Sequence, residues 1–192
     1  MKKITLIALL LALTWQVGAE TQETSTRKKN ELKLDVVSLI VGSMLKVEYE
    51  YLINNWSSAG VATFYQFSPW TSVIADDIEF GSWLNFTDTK MQLLGTYRLY
   101  FDEKPTSGFF IEGNMGLIAR DQKASFLAGG GPFSNVYTYG YETYYTFGIG
   151  IASGFKVYNT KGTTLDIFVG GGWMFGYNDV YLRSGIFLGK RF

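Results

Sequence analysis

From residue 31 to the C-terminus, apolar and polar side chains alternate with a period of two. Such alternation is typical of a β-strand that turns one face to an apolar and the other to a polar environment. It is clearest in three segments, whose apolar positions are Leu45, Val47, Tyr49, Tyr51 and Ile53, then Tyr145, Phe147, Ile149, Ile151, Phe155 and Val157, then Leu182, Ile186, Leu188 and Phe192. Weaker alternation marks five more segments, near 32–40, 57–67, 91–101, 109–120 and 165–175. The pattern predicts an all-β domain of eight strands.

The connections between these segments alternate in length. Turn-forming residues make short links at Asn54-Asn55, at 102–108 and at 159–162, whereas the links at 68–90 and 121–143 are long. Short turns at one end and long loops at the other are typical of an antiparallel up-and-down barrel, with periplasmic turns and extracellular loops. Tyr137, Tyr139 and Tyr141 also alternate, so the strands that flank the second long loop either end before it or continue into it.

The polar face distinguishes a soluble barrel from a transmembrane one. A soluble barrel hides its apolar face, whereas an outer-membrane barrel turns that face to lipid and fills its lumen with the polar one. Here the polar face is rich in glycine, as the packed interior of a narrow barrel requires, at positions 148, 150, 154, 170, 172, 185 and 189. Aromatic residues lie near strand ends on the apolar face, as in an interfacial girdle. We therefore predict a transmembrane barrel.

Charges of both signs share the polar face in nearly equal number, as mutual neutralisation in a confined lumen requires. We predict a barrel-interior ion-pair network of Lys46, Glu48, Glu50, Arg98, Glu112, Lys156, Asp166, Arg183 and Arg191, and place Lys33 and Asp35 on the same face. The alternatives are a proton path, a gated pore or a catalytic pair of carboxylates, Glu48 and Glu50. Eight strands leave room for side chains and little else, which favours a structural network.

The N-terminus has the order of a secretory signal peptide. Two lysines precede an apolar stretch from Ile4 to Leu13, and Val17-Gly18-Ala19 offers a cleavage point. We assign residues 1–19 to the signal peptide, 20–30 to a flexible periplasmic leader and 31–192 to the barrel. The chain has no cysteine, so a lipid anchor on cysteine is excluded.

Composition limits the chemistry. The formal net charge is zero, which gives no electrostatic reason to expect nucleic acid as a partner. The chain contains neither histidine nor cysteine, and so lacks the commonest general base, the commonest metal ligand and the thiol nucleophile. We expect no enzymatic activity, no catalytic residue, no cofactor and no metal. The aromatic residues Trp70, Trp83 and Phe133 in the long loops are the candidate contacts to an extracellular protein or glycan.

A signal peptide, eight alternating strands and a terminal Phe192 together resemble the small outer-membrane barrels of the OmpX, OmpW and opacity-protein group and the transmembrane half of OmpA. The resemblance implies a multi-pass protein of the outer membrane of a Gram-negative bacterium, surrounded by its lipid. It also implies that the barrel assembly machinery reads Phe192 with Leu188 and Ile186, although Lys190 departs from the usual apolar pattern. We expect a non-catalytic role in envelope structure or in surface interaction through the long loops. The alternative is a narrow transport or ligand-binding barrel for a small or apolar molecule.

Overall fold

The computed structural model describes residues 28–42, 44–67, 89–102, 106–131, 134–176 and 179–192. The predicted signal peptide, the leader up to residue 27 and the three candidate loop contacts Trp70, Trp83 and Phe133 lie outside these residues. Among the described residues, no helix is long and apolar enough to cross a membrane.

Eight strands follow one another along the chain, with one short helix after the first. They are β1 (Asn30–Asp35), α1 (Val36–Gly42), β2 (Met44–Leu52), β3 (Ser57–Gln66), β4 (Thr89–Tyr100), β5 (Gly108–Gly131), β6 (Ser134–Tyr158), β7 (Thr163–Met174) and β8 (Asp179–Arg191). Each strand pairs antiparallel with the next, and β8 pairs with β1, so that Glu31 lies between Glu50 and Arg191. The prediction of an eight-stranded, antiparallel, up-and-down barrel is confirmed.

The two ends of the barrel differ. The turn end carries the short links β2–β3, β4–β5 and β6–β7. Two of these links are held by asparagine: the side chain of Asn54 accepts hydrogen bonds from the N–H groups of Trp56 and Ser57 at 2.9 and 2.8 Å, and that of Asn159 accepts one from Thr163 N–H at 2.9 Å. The opposite end carries α1 and the far part of the β5–β6 hairpin, which is a two-stranded ribbon. We call it the ribbon end.

The first strand is shorter than its alternation predicts. The sequence pattern extends to Ile40, but β1 ends at Asp35 and α1 follows. Asp35 is the N-cap of this helix, because its carboxylate accepts hydrogen bonds from Ser38 N–H at 2.9 Å and from Ser38 Oγ at 2.6 Å. Aspartate is a preferred N-cap residue, and the strand pattern concealed this signal.

Strands β5 and β6 continue well beyond their neighbours. Their pairing runs from Gly108 opposite Lys156 to Gly131 opposite Ser134. The pairing of β4 with β5 ends at Arg120, and that of β7 with β6 ends at Gly148. Of the two possibilities for the second long connection, the structure therefore has the one in which the strands continue, as a two-stranded ribbon.

The two faces of the wall have opposite polarity, and the apolar face is the outer one. The outward side chains are large, apolar and exposed, up to 71% for Ile151. They include Tyr49, Val61, Leu93, Tyr97, Ile111, Met115, Ile149, Ile167, Val169 and Ile186. The inward positions of the same strands carry the buried charges. This is the inverse of a water-soluble barrel.

Glycine makes room for this interior. A Cβ atom on Gly170 would lie 2.2 Å from the Ile151 carbonyl oxygen, and one on Gly172 would lie 2.4 Å from the Tyr181 ring. On the outer face, a Cβ atom on Gly113 would meet nothing within 4 Å. Inward glycines are therefore required by packing, as expected for a filled narrow barrel.

Candidate functional site

Arg98, on β4, is the centre of a buried charge cluster in the lumen. Its Nε donates to Glu112 at 2.8 Å, and its Nη1 donates to Asp166 at 2.7 Å and to Glu50 at 3.2 Å. Its Nη2 lies 2.7 Å from Glu48. One guanidinium thus contacts carboxylates from three other strands, an arrangement that its planar set of donors allows and that a lysine lacks.

Two lysines also belong to the cluster. Lys33 Nζ donates to Asp166 at 2.6 Å, to Glu48 at 3.2 Å and also to Glu50. Lys156 Nζ lies 2.6 Å from Glu31 and 3.1 Å from Glu50. Each lysine therefore bridges carboxylates on different strands.

Two further arginines extend the cluster in opposite directions. Arg183 donates to Glu48 at 2.8 Å and also to Glu112, towards the ribbon end. Arg191 donates to Glu31 at 2.6 Å and to Thr106 Oγ1 at 3.1 Å, towards the turn end. The network therefore runs through the lumen from the turn end to about mid-height.

Buried aromatic rings on the inward faces of β4, β5, β7 and β8 lie beside the charge cluster. The Arg98 guanidinium lies 4.6 Å from the Phe110 ring centroid and 5.4 Å from that of Phe168. Tyr100 donates to Glu50 at 2.5 Å, and its ring lies 5.2 Å from Lys156 Nζ. These cation–π contacts stabilise charges that have been removed from water.

Apart from the Arg120–Asp179 pair near the ribbon end, the described lumen holds six carboxylates and six cations. They are Glu31, Asp35, Glu48, Glu50, Glu112 and Asp166, with Lys33, Lys46, Arg98, Lys156, Arg183 and Arg191. The structure brings eight of the nine residues of the predicted network into one connected cluster. The ninth, Lys46, lies apart: it is 3.5 Å from Asp35 and donates to the Ser184 carbonyl oxygen at 2.9 Å.

Sequence reasoning missed Glu31 and the inward aromatic residues. Glu31 shares the parity of Lys33 and Asp35, so the alternation rule already places it in the lumen. Tyr100, Phe110, Phe168 and Phe187 are buried on the charged face, where the polar–apolar pattern predicts no aromatic residue.

Three carboxylates in the cluster approach one another closely enough to hold a metal ion. Ligand atoms of Glu48, Glu50 and Asp166 all lie within 4.8 Å of one another. Lys33 and Arg98, however, each contact all three. Since these two cations already supply the counter-charge, the geometry fits a structural plug better than a metal centre or an acid–base pair.

A cavity of about 630 Å³ lies on the ribbon-end side of the network. Its lining includes the inward residues Lys46, Phe64, Gln92, Leu94, Tyr181 and Arg183. The lumen is thus filled near the turn end and open near the ribbon end. We call the open part the vestibule.

Phe192 follows the last strand at the turn end. It is exposed, its N–H donates to the Asn30 carbonyl oxygen at 2.8 Å, and its own carbonyl oxygen accepts from Asn30 N–H at 3.2 Å. The residue with which we associate the assembly signal thus also belongs to the seam that closes the barrel.

Comparison with known proteins gives one structural similarity. No protein-family profile and no curated protein sequence matches this chain. Among solved structures, the chain is similar to the crystal structure of the N-terminal β-barrel domain of Pseudomonas aeruginosa OprF, with 10% sequence identity and a TM-score of 0.44. The match covers 86% of this chain and 98% of that one. The fold assignment itself rests on the strand pairing of this chain.

Proposed function

We propose that this chain is a non-catalytic outer-membrane β-barrel protein that contacts partners outside the cell through its β5–β6 ribbon. The observation that carries the membrane part of the proposal is the inverted polarity of the wall, with exposed apolar side chains outside and paired charges inside. An apolar surface that encircles a barrel is stable in lipid and a source of aggregation in water.

The dimensions of the apolar surface support a bilayer. On β6, the outward side chains from Tyr145 to Val157 are apolar except at Ser153. They cover roughly 40 Å along the strand, which a tilt of about 45° reduces to roughly 28 Å across the membrane. This is close to the thickness of a hydrocarbon core.

Exposed aromatic residues border this surface at both ends, as they do at membrane–water interfaces. The turn-end group is Tyr51, Trp56, Phe101, Phe109, Phe155 and Phe192, and the ribbon-end group is Tyr65, Phe67, Tyr145, Phe147, Trp173 and Phe175. Two such girdles support a transmembrane position. The short turns at one end and the long ribbon at the other support an orientation in which the turn end faces the periplasm and the ribbon end faces the medium.

The ribbon supports the surface role. Residues 121–131 of β5 extend roughly 36 Å beyond the last pairing with β4. Within the described parts of the chain, this segment and residues 134–143 of β6 pair only with each other, so each has an unpaired backbone edge. Such edges bind a further strand by β-augmentation. An extracellular protein strand is the partner that this geometry favours, and a glycan is the alternative.

The absence of catalysis is proposed because the lumen carboxylates are paired with cations. A general acid or base requires a group that exchanges its proton near neutral pH, whereas a carboxylate held between lysine and arginine stays ionised. The carboxylates that the sequence offers as an acid–base pair, Glu48 and Glu50, are both paired in this way.

The location is tested by fractionation of cells that express the full chain. We expect recovery in the outer membrane. We also expect a heat-modifiable band on gels, because a folded barrel resists unfolding by detergent until the sample is boiled. Deletion of Phe192 should slow insertion and raise the unfolded periplasmic pool. A soluble periplasmic monomer would contradict the proposed location, and normal insertion of the truncated chain would contradict the assembly role.

The surface role is tested by a variant in which a two-residue turn replaces residues 122–141. Photo-crosslinkers placed at Tyr137 and at Tyr51 of the intact chain compare the ribbon with the opposite end. We expect crosslinked extracellular partners from Tyr137 alone, and a shortened variant that still shows the heat-modifiable band. Equal capture from both positions would contradict a role for the ribbon.

A further inference from the structure

The wall of the vestibule carries polar groups that make no hydrogen bond within the described chain. The Gln92 side chain is only 9% exposed and lines the cavity. Within the described chain it makes no side-chain hydrogen bond. Its amide can therefore donate to or accept from a molecule in the vestibule.

Arg183 adds an unused donor at the floor of the vestibule. Its Nε and Nη2 groups bind Glu48 and Glu112. Its Nη1 group makes no hydrogen bond to any residue that the structure describes. The side chain is therefore oriented by the network on one side and retains a donor for a ligand on the other.

The charged residues that line the vestibule, Lys46 and Arg183, are both cations. Their carboxylate partners Asp35, Glu48 and Glu112 do not line it. Asp35 is also held by two hydrogen bonds from Ser38, so Lys46 is not its sole partner. A molecule in the vestibule meets two positive groups and no negative side chain of the described lining, which favours an anion.

The remainder of the lining is mostly apolar. Ala62, Phe64, Leu94 and Phe187 contribute to it, and the Phe64 ring lies 5.9 Å from Lys46 Nζ. The anion that fits this wall therefore has a hydrocarbon part. The volume of about 630 Å³ lies within the range of small-molecule sites.

We propose that the vestibule binds a small monocarboxylate with an apolar body. The carboxylate accepts hydrogen bonds from Lys46, Arg183 Nη1 and the Gln92 amide, and the apolar body packs against Phe64 and Leu94. The ion-pair network fills the lumen below, so the molecule binds and does not pass through. This inference goes beyond the proposed surface role and is independent of the ribbon.

The test is a titration of the full-length barrel in phospholipid nanodiscs with octanoate labelled with carbon-13 at its carboxyl group. We expect a saturable bound resonance that empty nanodiscs do not give. Lys46→Met should weaken binding about tenfold or more, since it removes a charged hydrogen bond. Lys46→Arg should retain it within about threefold. The matched control is Lys190→Met, at the turn end, which should bind as the parent chain does.

Two further variants keep the proposal testable if Lys46→Met fails to insert. Gln92→Leu should weaken binding severalfold, and Ala62→Phe, which fills the cavity, should abolish it. Octan-1-ol should not displace octanoate, because it lacks the charge. Absence of a saturable resonance, equal displacement by octan-1-ol, or unchanged binding in Lys46→Met or in Ala62→Phe would overturn the proposal.

Discussion

The inner and outer faces of the barrel belong to the same strands but are stabilised in opposite ways. On β6, Ile149 and Ile151 point outwards and are exposed, whereas Ala152 and Lys156 point inwards and are buried. The inner face is stabilised by ion pairs between specific side chains, and the outer face requires only apolar character. A substitution inside therefore acts through a specific partner, and one outside acts through its depth in the bilayer.

The largest effect is expected for Arg98→Met. The substitution removes the cation that contacts four carboxylates and leaves them buried with too few partners. Loss of one member of a buried pair costs about 3–5 kcal/mol. Urea unfolding in lipid vesicles should show a loss of this size, with a smaller one for Arg98→Lys, which keeps the charge. A loss below about 1 kcal/mol would show that the network does not stabilise the lumen.

On the outer face, Ile151→Arg should cost about 2–4 kcal/mol, because it lies near the middle of the apolar surface. The matched control is Tyr145→Arg, which places the same charge in the ribbon-end girdle and should cost about 1 kcal/mol or less. Unfolding titrations of the two variants measure the difference. Equal costs would contradict a bilayer whose hydrocarbon core is centred near Ile151 and ends near Tyr145.

Steric tolerance should also differ between the faces. Gly170→Val brings side-chain atoms into the β6 backbone and should cost about 1–3 kcal/mol or prevent insertion. Gly113→Val, on the outer face, meets open space and should be tolerated. The heat-modifiable fraction of each variant checks this. Similar folded fractions would show that the lumen adapts to added volume.

The smallest effect is expected for Lys90→Met near the base of the ribbon. Lys90 lies 3.5 Å from Asp121, and both side chains are substantially exposed. Solvent-exposed pairs contribute about 0–1 kcal/mol, so the free energy of unfolding should change by less than 1 kcal/mol. A cost comparable to that of Arg98→Met would mean that exposure does not distinguish the two pairs.

The sequence predicts the strands well because their alternation is a local pattern. The turns at Asn54 and Asn159 and the inward charges follow from residue type and parity alone. The end of β1 does not, since the Asp35 cap competes with an alternation that continues to Ile40. The length of the ribbon does not either, because a polar stretch with alternating tyrosines fits both a loop and a strand.

The partners within the lumen are harder to predict than its composition. Parity assigns Lys46 and Arg98 to the same face, yet only Arg98 joins the connected cluster. Which carboxylates a cation reaches depends on the stagger of the strands around the barrel. The vestibule depends in addition on inward rings such as Tyr181 and Phe187, which the polar pattern does not reveal.

The inverted barrel is tested most directly by spin labels at the outward positions 149, 151 and 153 of β6, between the two aromatic girdles. The chain has no cysteine, so single cysteines can be introduced and labelled one at a time in the barrel in lipid vesicles. We predict that these labels collide with oxygen and not with a water-soluble nickel complex. Collision with the nickel complex would place the apolar face in water and contradict the inverted barrel.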